Sequence, residues 1–525
     1  MPGIKPQIEQ PPDPYAGRWV ALLNGHVVAQ GGTPEQALKA SKATRPKENP
    51  EIKFMPANIS FSLPAIVERI SALIPHENTV YLVGGAVRDL LLQRQVRDLD
   101  FTLPNPAIPL ARDLADSLGG AFYALDEERD AGRVILKEEG ETITLDFVTH
   151  REASLEADLQ ARDFTINAMA INLQEPEALL DPQGGMADLQ AKRLRACSAT
   201  AMQDDPIRVL RAVRMAASFD LKIEKETRAW MKAASRKLAD VSAERVRDEV
   251  FRLLAAPRIS TSFRALEMLG ALAILPDVKA LKEFELWELA LQRAASLKKI
   301  FAVLDLDYPD EGARDLQTGL VVLRLGRYRE KISGHLSEEK VSGRSRRSLL
   351  YLAALFQDID KIRDSDEERS VSPLGENLRL SKSELADLKI MQAHHGLIGE
   401  LNRSGKSADK RRIYQFFRVA GKSGVELCLL ALADLMGHHG AELSQDMLTS
   451  YLDTTRALLE AYWEQYDEVI APAPLLNGDE LLEKFDLKAG ARIGELLEAL
   501  IEAQVVGEIK NKKEALSLAK DLLKN

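Results

Sequence analysis

The stretch from Leu82 to Leu103, LVGGAVRDLLLQRQVRDLDFTL, constrains the fold more than any other part of the chain. It reads as a strand ending in Gly84-Gly85, then a helix, then a second strand carrying Asp98 and Asp100. A glycine pair lets backbone amides approach a phosphate closely, and a helix start behind it favours anions. Residues two apart on a strand share a face, so Asp98 and Asp100 point one way while Leu99 and Phe101 point the other. A solvated strand end would explain two acids, but not this alternation. Two carboxylates held this close repel unless a cation sits between them, which makes a Mg²⁺ site the natural reading. A phosphate cradle beside paired carboxylates points to metal-assisted phosphoryl or nucleotidyl transfer.

Around this segment the chain is long enough, at 525 residues, for several domains. Its 45% apolar and 29% charged content is that of a soluble globular protein. Cys197 and Cys428 are far apart and suggest neither a disulfide framework nor a zinc site, which fits a reduced, cytoplasmic setting. The N-terminus, MPGIKPQIEQPPDPYAG, lacks the apolar core of a signal peptide, and no uncharged apolar run is long enough to span a bilayer. The net charge of −10 argues against non-specific clamping of nucleic acid, DNA included, but leaves room for local recognition. Basic clusters occur at Arg327–Lys331, Lys340–Arg347 and Arg403–Arg412; each taken alone reads as a solvated loop.

Periodicity organises the rest. Residues 1–17 read as disordered. WVALLNGHVVAQ is a hairpin around Asn24-Gly25, Thr33-Pro34 opens a helix, and ATRPKENPEIKFMPAN reads as a linker. Between about 60 and 195, GGAFYALDEE, GRVILKEE and ETITLDFVTH read as strands of one sheet, and DLQARDFTINAMAINL turns from helix to strand. From about 205 the pattern is helical almost to the end. The expected fold class is α+β: a mixed-sheet head followed by a long all-α neck, body and tail. The expected boundaries are 1–57 for a small N-terminal module and linker, 58–198 for the head, 199–262 for the neck, 263–465 for the body and 466–525 for the tail.

Two further constellations carry chemistry. In RDFTINA, Arg162 and Asp163 suit a phosphate and a ribose hydroxyl, and Asn167 suits the turn; a structural ion pair and a cap explain them equally well. In DDPIRVLRAVR, Pro206 suits a first helical turn. Arg208, Arg211 and Arg214 recur every third residue and share a face, while Ile207, Leu210 and Val213 form a core face. Three arginines on one side repel, a cost that an anionic partner removes; taken alone, the same pattern reads slightly better as a solvated charged face.

LVGGAVRDLLL…DLDF, RDFTINAMAI, LLDPQGGMADLQAKRLR, DDPIRVLRAVRMAA and ERVRDEVFRLL resemble, in order, the motifs of class II tRNA nucleotidyltransferases and bacterial poly(A) polymerases. These belong to the polymerase-β-like nucleotidyltransferases. The match covers roughly residues 60–260, and the tail from APAPLLNGDELLEKF onward is also similar. The resemblance implies that Gly84, Gly85 and Arg88 meet the triphosphate and that Asp98 and Asp100 hold Mg²⁺. It implies that Arg162 and Asp163 bind the ribose and orient the nucleotide. Asp205 and Arg208 would then read the base, with Arg211 and Arg214 in support. Asp146, in TLDFVTH, stands where a further strand acid would approach the metals.

The base-reading pair has its own physical logic. Cytosine and adenine each present an amino donor beside a ring-nitrogen acceptor, whereas guanine and uracil present a carbonyl beside an N–H. An Asp acceptor next to an Arg donor therefore matches C and A and leaves G and U mispaired. The chain departs from the family pattern at Ala161, Asp204 and Gln93, where Arg, Glu and Gly are usual. Further on, SLLYLAALFQDIDK resembles the core of an HD phosphohydrolase with Gln357 in place of the metal-binding His before Asp358; His394, His395, Asp434, His438 and His439 are the remaining candidate ligands. The expectation is a degenerate HD-like region kept as an RNA-binding body.

The resulting functional expectation is an enzyme that adds CMP and AMP from CTP and ATP to the tRNA 3′ end, releasing pyrophosphate, with the acceptor–T-arm as its RNA partner and no membrane partner. The nearest alternatives are a poly(A) polymerase and a CC- or A-adding specialist. The more distant ones are a non-catalytic RNA-binding protein and an HD-type phosphohydrolase. The oligomeric state is not legible.

Overall fold

The computed structural model describes residues 15 and 18–524, except 33, 56, 59–62, 139, 151, 153, 276, 308–314, 342, 363–372, 404–408 and 487–489. The expected disorder of residues 1–17 (apart from Tyr15), the cap at Thr33, and parts of two basic clusters (342 and 404–408) lie outside the described residues. The chain divides into two compact units, residues 1–238 and 239–525.

The first unit opens with the anticipated hairpin. Strands β1 (Arg18–Leu23) and β2 (His26–Gly31) pair antiparallel, and Asn24 and Gly25 take the left-handed φ of 51° and 79° that a tight two-residue turn requires. Helix α1 (Pro34–Thr44) packs on this sheet. The stretch read as a linker contains a third strand, β3 (Glu51–Met55), on the other edge of β1. Ile52 and Phe54 alternate towards one face, where Phe54 meets Trp19 edge-on at 5.6 Å; flanking prolines hide that alternation in the sequence.

The head is built on eight strands: β4 (Ala57–Asn58), β5 (Tyr81–Val83), β6 (Asp98–Leu103), β7 (Ala121–Asp126), β8 (Ala131–Glu138), β9 (Glu141–Thr149), β10 (Ala170–Asn172) and β11 (Ala178–Leu180). Their order is β4-β11-β10-β5-β6-β9-β8-β7, and only β6 and β9 run parallel, so the sheet is mixed. One face carries the main core. Leu82, Leu99, Phe101, Leu145 and Phe147 bury there with Ile70 of α2 (Ala65–Leu73), Val87 of α3 (Gly85–Leu91) and Leu114 of α4 (Ala107–Leu118). Phe101 stacks on Phe147 at 4.7 Å across the parallel pair.

The opposite face is only partly apolar. Leu155 and Leu159 of α5 (Leu155–Gln160) cluster with Val83, Ala168 and Ala170 on the β5–β10 side. Beyond Val83 the same face turns polar, and Asp98 and Asp100 are exposed on it. The first unit continues through α6 (Gly185–Gln190), α7 (Ala201–Asp204) and α8 (Arg208–Phe219).

Among its described residues the second unit is helical, from the helix Ala243–Leu254 to the helix Lys512–Lys524, with a short two-stranded ribbon at Glu339–Val341 and Arg344–Ser345. Among the described residues, no helix is long and apolar enough to cross a membrane.

Candidate active site

Strand register assembles the site. Val83 on β5 faces Asp100 on β6, Asp100 faces Asp146 on β9, and Asp146 faces Arg133 on β8. Cross-strand partners share a face, so these four residues form one row across the sheet. Asp98 lies on the same side, two residues from Asp100 on β6.

Gly84 follows Val83 and caps α3 with φ 77° and ψ −140°, a conformation that side chains resist. A methyl at Gly84 would lie 3.0 Å from Arg162 Nη1 and 3.3 Å from Asp100 Oδ2. The glycine therefore lets the backbone, the Asp100 carboxylate and the Arg162 guanidinium converge.

Asp100 reaches solvent, yet protein atoms crowd round its carboxylate. Desolvation pushes its carboxyl above the usual aspartate range, and Asp146 and Asp98 push the same way, against the partial opposition of Arg162 and Arg211. A cation between Asp98 and Asp100 would relieve that penalty. Among the described residues, no group of three or more His, Cys, Asp or Glu side chains converges as a metal site. A two-carboxylate site of this kind suits Mg²⁺, which keeps waters and takes its remaining ligands from substrate phosphates.

Asp146 arrives where the sequence places it, level with Asp100, but its carboxylate is occupied. Arg133 Nε donates to Oδ1 at 2.7 Å and Nη2 to Oδ2 at 2.8 Å, a two-pronged ion pair. Arg133 escaped the sequence reading because nothing local marks it: GRVILKEE is an ordinary strand until the register sets Arg133 opposite Asp146.

The 162–167 segment is a tightly bonded turn. Asp163 is buried; its Oδ1 accepts from the Phe164 amide at 2.8 Å and from Asn167 Nδ2 at 3.0 Å, and its Oδ2 pairs with Arg211 Nε at 2.6 Å. Arg162 lies 3.4 Å from Asp158. Arg88, expected on a triphosphate, is turned inward instead. Only 8% exposed, it grips Asp89 with two bonds of 2.9 and 2.8 Å, donates to Asn167 Oδ1 at 2.6 Å and lies over the Phe219 ring. Its visible work is to fix the turn that carries Asp163.

On α8, Ile207, Leu210 and Val213 are buried as expected. Arg208 Nη1 makes long bonds of 3.3–3.4 Å to the carbonyls of Ala161, Arg162 and Ala201. Asp205 and Arg214 are half-buried, and each is already engaged by neighbours. The structure thus brings Gly84, Asp98, Asp100, Asp146 and Arg162 to one open face, and Asp163, Arg208 and Arg211 to the turn beside it.

In the second unit the HD-like segment has become an internal ion cluster. Arg293 is fully buried and donates to Asp434 Oδ1 at 2.7 Å, to Asp358 Oδ2 at 2.8 Å and to the Ala354 carbonyl at 2.7 Å. Gln357 donates to the same Asp434 oxygen at 3.1 Å. His395 bonds the Gln392 carbonyl, and His438 and His439 pack on each other. A guanidinium thus sits between the two acids that would otherwise be candidate metal ligands.

Comparison with known proteins identifies the family. Residues 80–195 match the poly(A) polymerase head domain, 220–282 the probable RNA- and SrmB-binding site of polymerase A, and 441–519 a putative second domain of tRNA nucleotidyltransferases. Residues 13–57 match a family of unknown function. The CC-adding tRNA nucleotidyltransferase of Synechocystis sp. is 30% identical over 86% of this chain and 95% of its own length. The A-adding tRNA nucleotidyltransferase of Deinococcus radiodurans is 32% identical over 83% of this chain and 93% of its own length. In fold, a CCA-adding enzyme solved with CTP superposes with a TM-score of 0.58 at 21% identity, covering 88% of this chain and 97% of that one. Full-length likeness to these relatives, together with the acid pair and glycine turn on a mixed-sheet head, establishes that the chain belongs to the tRNA nucleotidyltransferase family.

Proposed function

We propose that the protein adds CMP and AMP to the 3′ end of tRNA, completing CCA, with CTP and ATP as donors and Mg²⁺ as the metal. The observation that carries this reading is Asp100: a desolvated carboxylate, beside Asp98 and against Gly84 and Arg162, on a polar stretch of the sheet. Asp98 and Asp100 would hold the metal. Bound there, it would lower the pKa of the RNA 3′-hydroxyl and neutralise the leaving pyrophosphate.

The remaining steps belong to the chain's own groups. The Gly84-Gly85 turn offers backbone to the triphosphate, and Arg162 supplies a cation at its edge. Asp163, held by Asn167 and Arg211, is rigid enough to orient a ribose. Asp205 and Arg208 present an acceptor and a donor that match C and A. The bonds of Arg208 to three carbonyls are at the long end of the range, so a base can compete for that guanidinium. Arg88 braces the turn from behind through Asn167.

A CC-adding specialist is the second reading, favoured by the Synechocystis relative. Purified protein with Mg²⁺, labelled CTP or ATP, and tRNAs ending before C, CC and CCA separates the cases. Three additions followed by arrest support CCA synthesis; arrest after CC supports the specialist. Long A tails on any RNA overturn both. Asp98→Ala should abolish incorporation while sparing RNA binding, and surviving activity would remove Asp98 from the metal site.

A further inference from the structure

Asp98, Asp100 and Asp146 share the open face, but the Asp146 carboxylate is already taken. Asp146 is level with Asp100, its register partner on the neighbouring parallel strand. Both its oxygens are nonetheless bound by Arg133, whose own partner position on β8 is fixed by the antiparallel register. The guanidinium is in turn stabilised by Asp146 first and by Asp98 and Asp100 at longer range, so it lies within the field of the whole acid cluster. Asp146 and Arg133 are both partly shielded from solvent, which makes the pair more than a screened surface contact.

We infer that Arg133 is a positioning residue that holds the Asp146 carboxylate out of the cation site, restricting the protein's ligands there to Asp98 and Asp100. This rests on the metal assignment proposed above. Two geometries support it. A two-pronged arginine–carboxylate pair uses the same oxygens that a metal would need. A strand pairing fixes both Cα positions, so Asp146 leaves Arg133 only by a side-chain rotation, not by a loop movement. The consequence is chemical. With two carboxylates, a divalent cation keeps more positions for phosphate and hydroxyl oxygens than it would with three. Arg133 would thus tune both the affinity and the openness of the site without touching the reacting atoms.

The test is Mn²⁺ binding to the full-length protein without nucleotide or RNA, followed by the loss of the free-ion EPR signal. Arg133→Ala frees Asp146 and should tighten Mn²⁺ binding by about tenfold, the scale of outer-sphere effects on metal sites. In an Asp146→Asn background the same substitution should change affinity by less than about twofold, because the ligand it releases is gone. Arg133→Lys keeps the charge but loses the two-pronged grip, and should also tighten binding. Equal effects of Arg133→Ala in both backgrounds, with Arg133→Lys like the unaltered protein, would overturn the inference, since the arginine would then act through its charge alone. No effect in either background overturns it as well. Mn²⁺ binding that persists in Asp98→Asn and Asp100→Asn proteins would remove the metal assignment itself, a failure separable from the others.

Discussion

Asp100 shows how function and stability oppose each other at a single residue. Its folded-state pKa is raised, chiefly by desolvation. Between the ordinary aspartate value and the raised one the native state binds the extra proton, so stability falls as pH rises through that window. Above it, the full penalty applies. Asp100→Asn should therefore raise the melting temperature at neutral pH, and the gain should shrink as the pH falls towards the ordinary aspartate range, while incorporation is lost. Melting curves across that pH range check it, and a lowered melting temperature at neutral pH would contradict it. Gly84 is the other decisive position. Gly84→Ala faces both a backbone penalty on the order of 1–3 kcal/mol and a methyl directed at Arg162 and Asp100. Incorporation should drop far more than stability, which paired kinetic and denaturant measurements would separate. The acid pair and the glycine pair were legible because each is a local pattern. The inward turn of Arg88 was not, because Asn167 and Phe219 become its neighbours only in the fold.

At the level of elements, alternation and turn chemistry carried most of the first unit. The Asn24-Gly25 hairpin, the strand–helix–strand around Gly84, and the three strands β7 to β9 follow from local signals. β3 did not, since five residues between prolines give too few repeats to betray a strand. It completes a small sheet whose Trp19 donates its indole N–H to the Pro182 carbonyl at 2.8 Å, more than 150 residues on (a separation of 163). A buried tryptophan N–H without a partner is costly. Trp19→Phe keeps an aromatic side chain but loses the indole N–H and part of the ring system, leaving the Pro182 carbonyl without that donor, which should destabilise the protein by about 1–3 kcal/mol. Amide exchange should rise near residues 181–186 as well as in the hairpin; exchange confined to the hairpin would mean that the bond couples nothing.

Across the whole molecule, long-range pairing of charge decides what the second unit is. Arg293 joins Asp358 and Asp434, 65 and 141 residues away, in a cluster whose Arg293 and Asp358 are fully buried while Asp434 stays partly exposed. Removing one member of such a cluster leaves uncompensated charge, so Arg293→Ala should cost about 3–5 kcal/mol in denaturant unfolding. Restoring the histidine of an HD site by Gln357→His should add no divalent-metal site to that of the head, because the guanidinium keeps the two acids; calorimetric titration with Mn²⁺ in an Asp98→Asn, Asp100→Asn background, where the head site is removed, would reveal the opposite. Gln357 alone marks the site as degenerate in the sequence, and the fold adds that Arg293 occupies both neighbouring acids. The chemistry of the head lay in the sequence by itself, because glycine turns, alternating acids and helical arginine spacing are set by neighbours a few residues apart. Tertiary structure alone decided which of those groups are available. Asp146 is held by Arg133, Arg88 by Asp89 and Asn167, and Asp434 by Arg293, and each pairing depends on strand register or helix packing between segments that the sequence keeps apart.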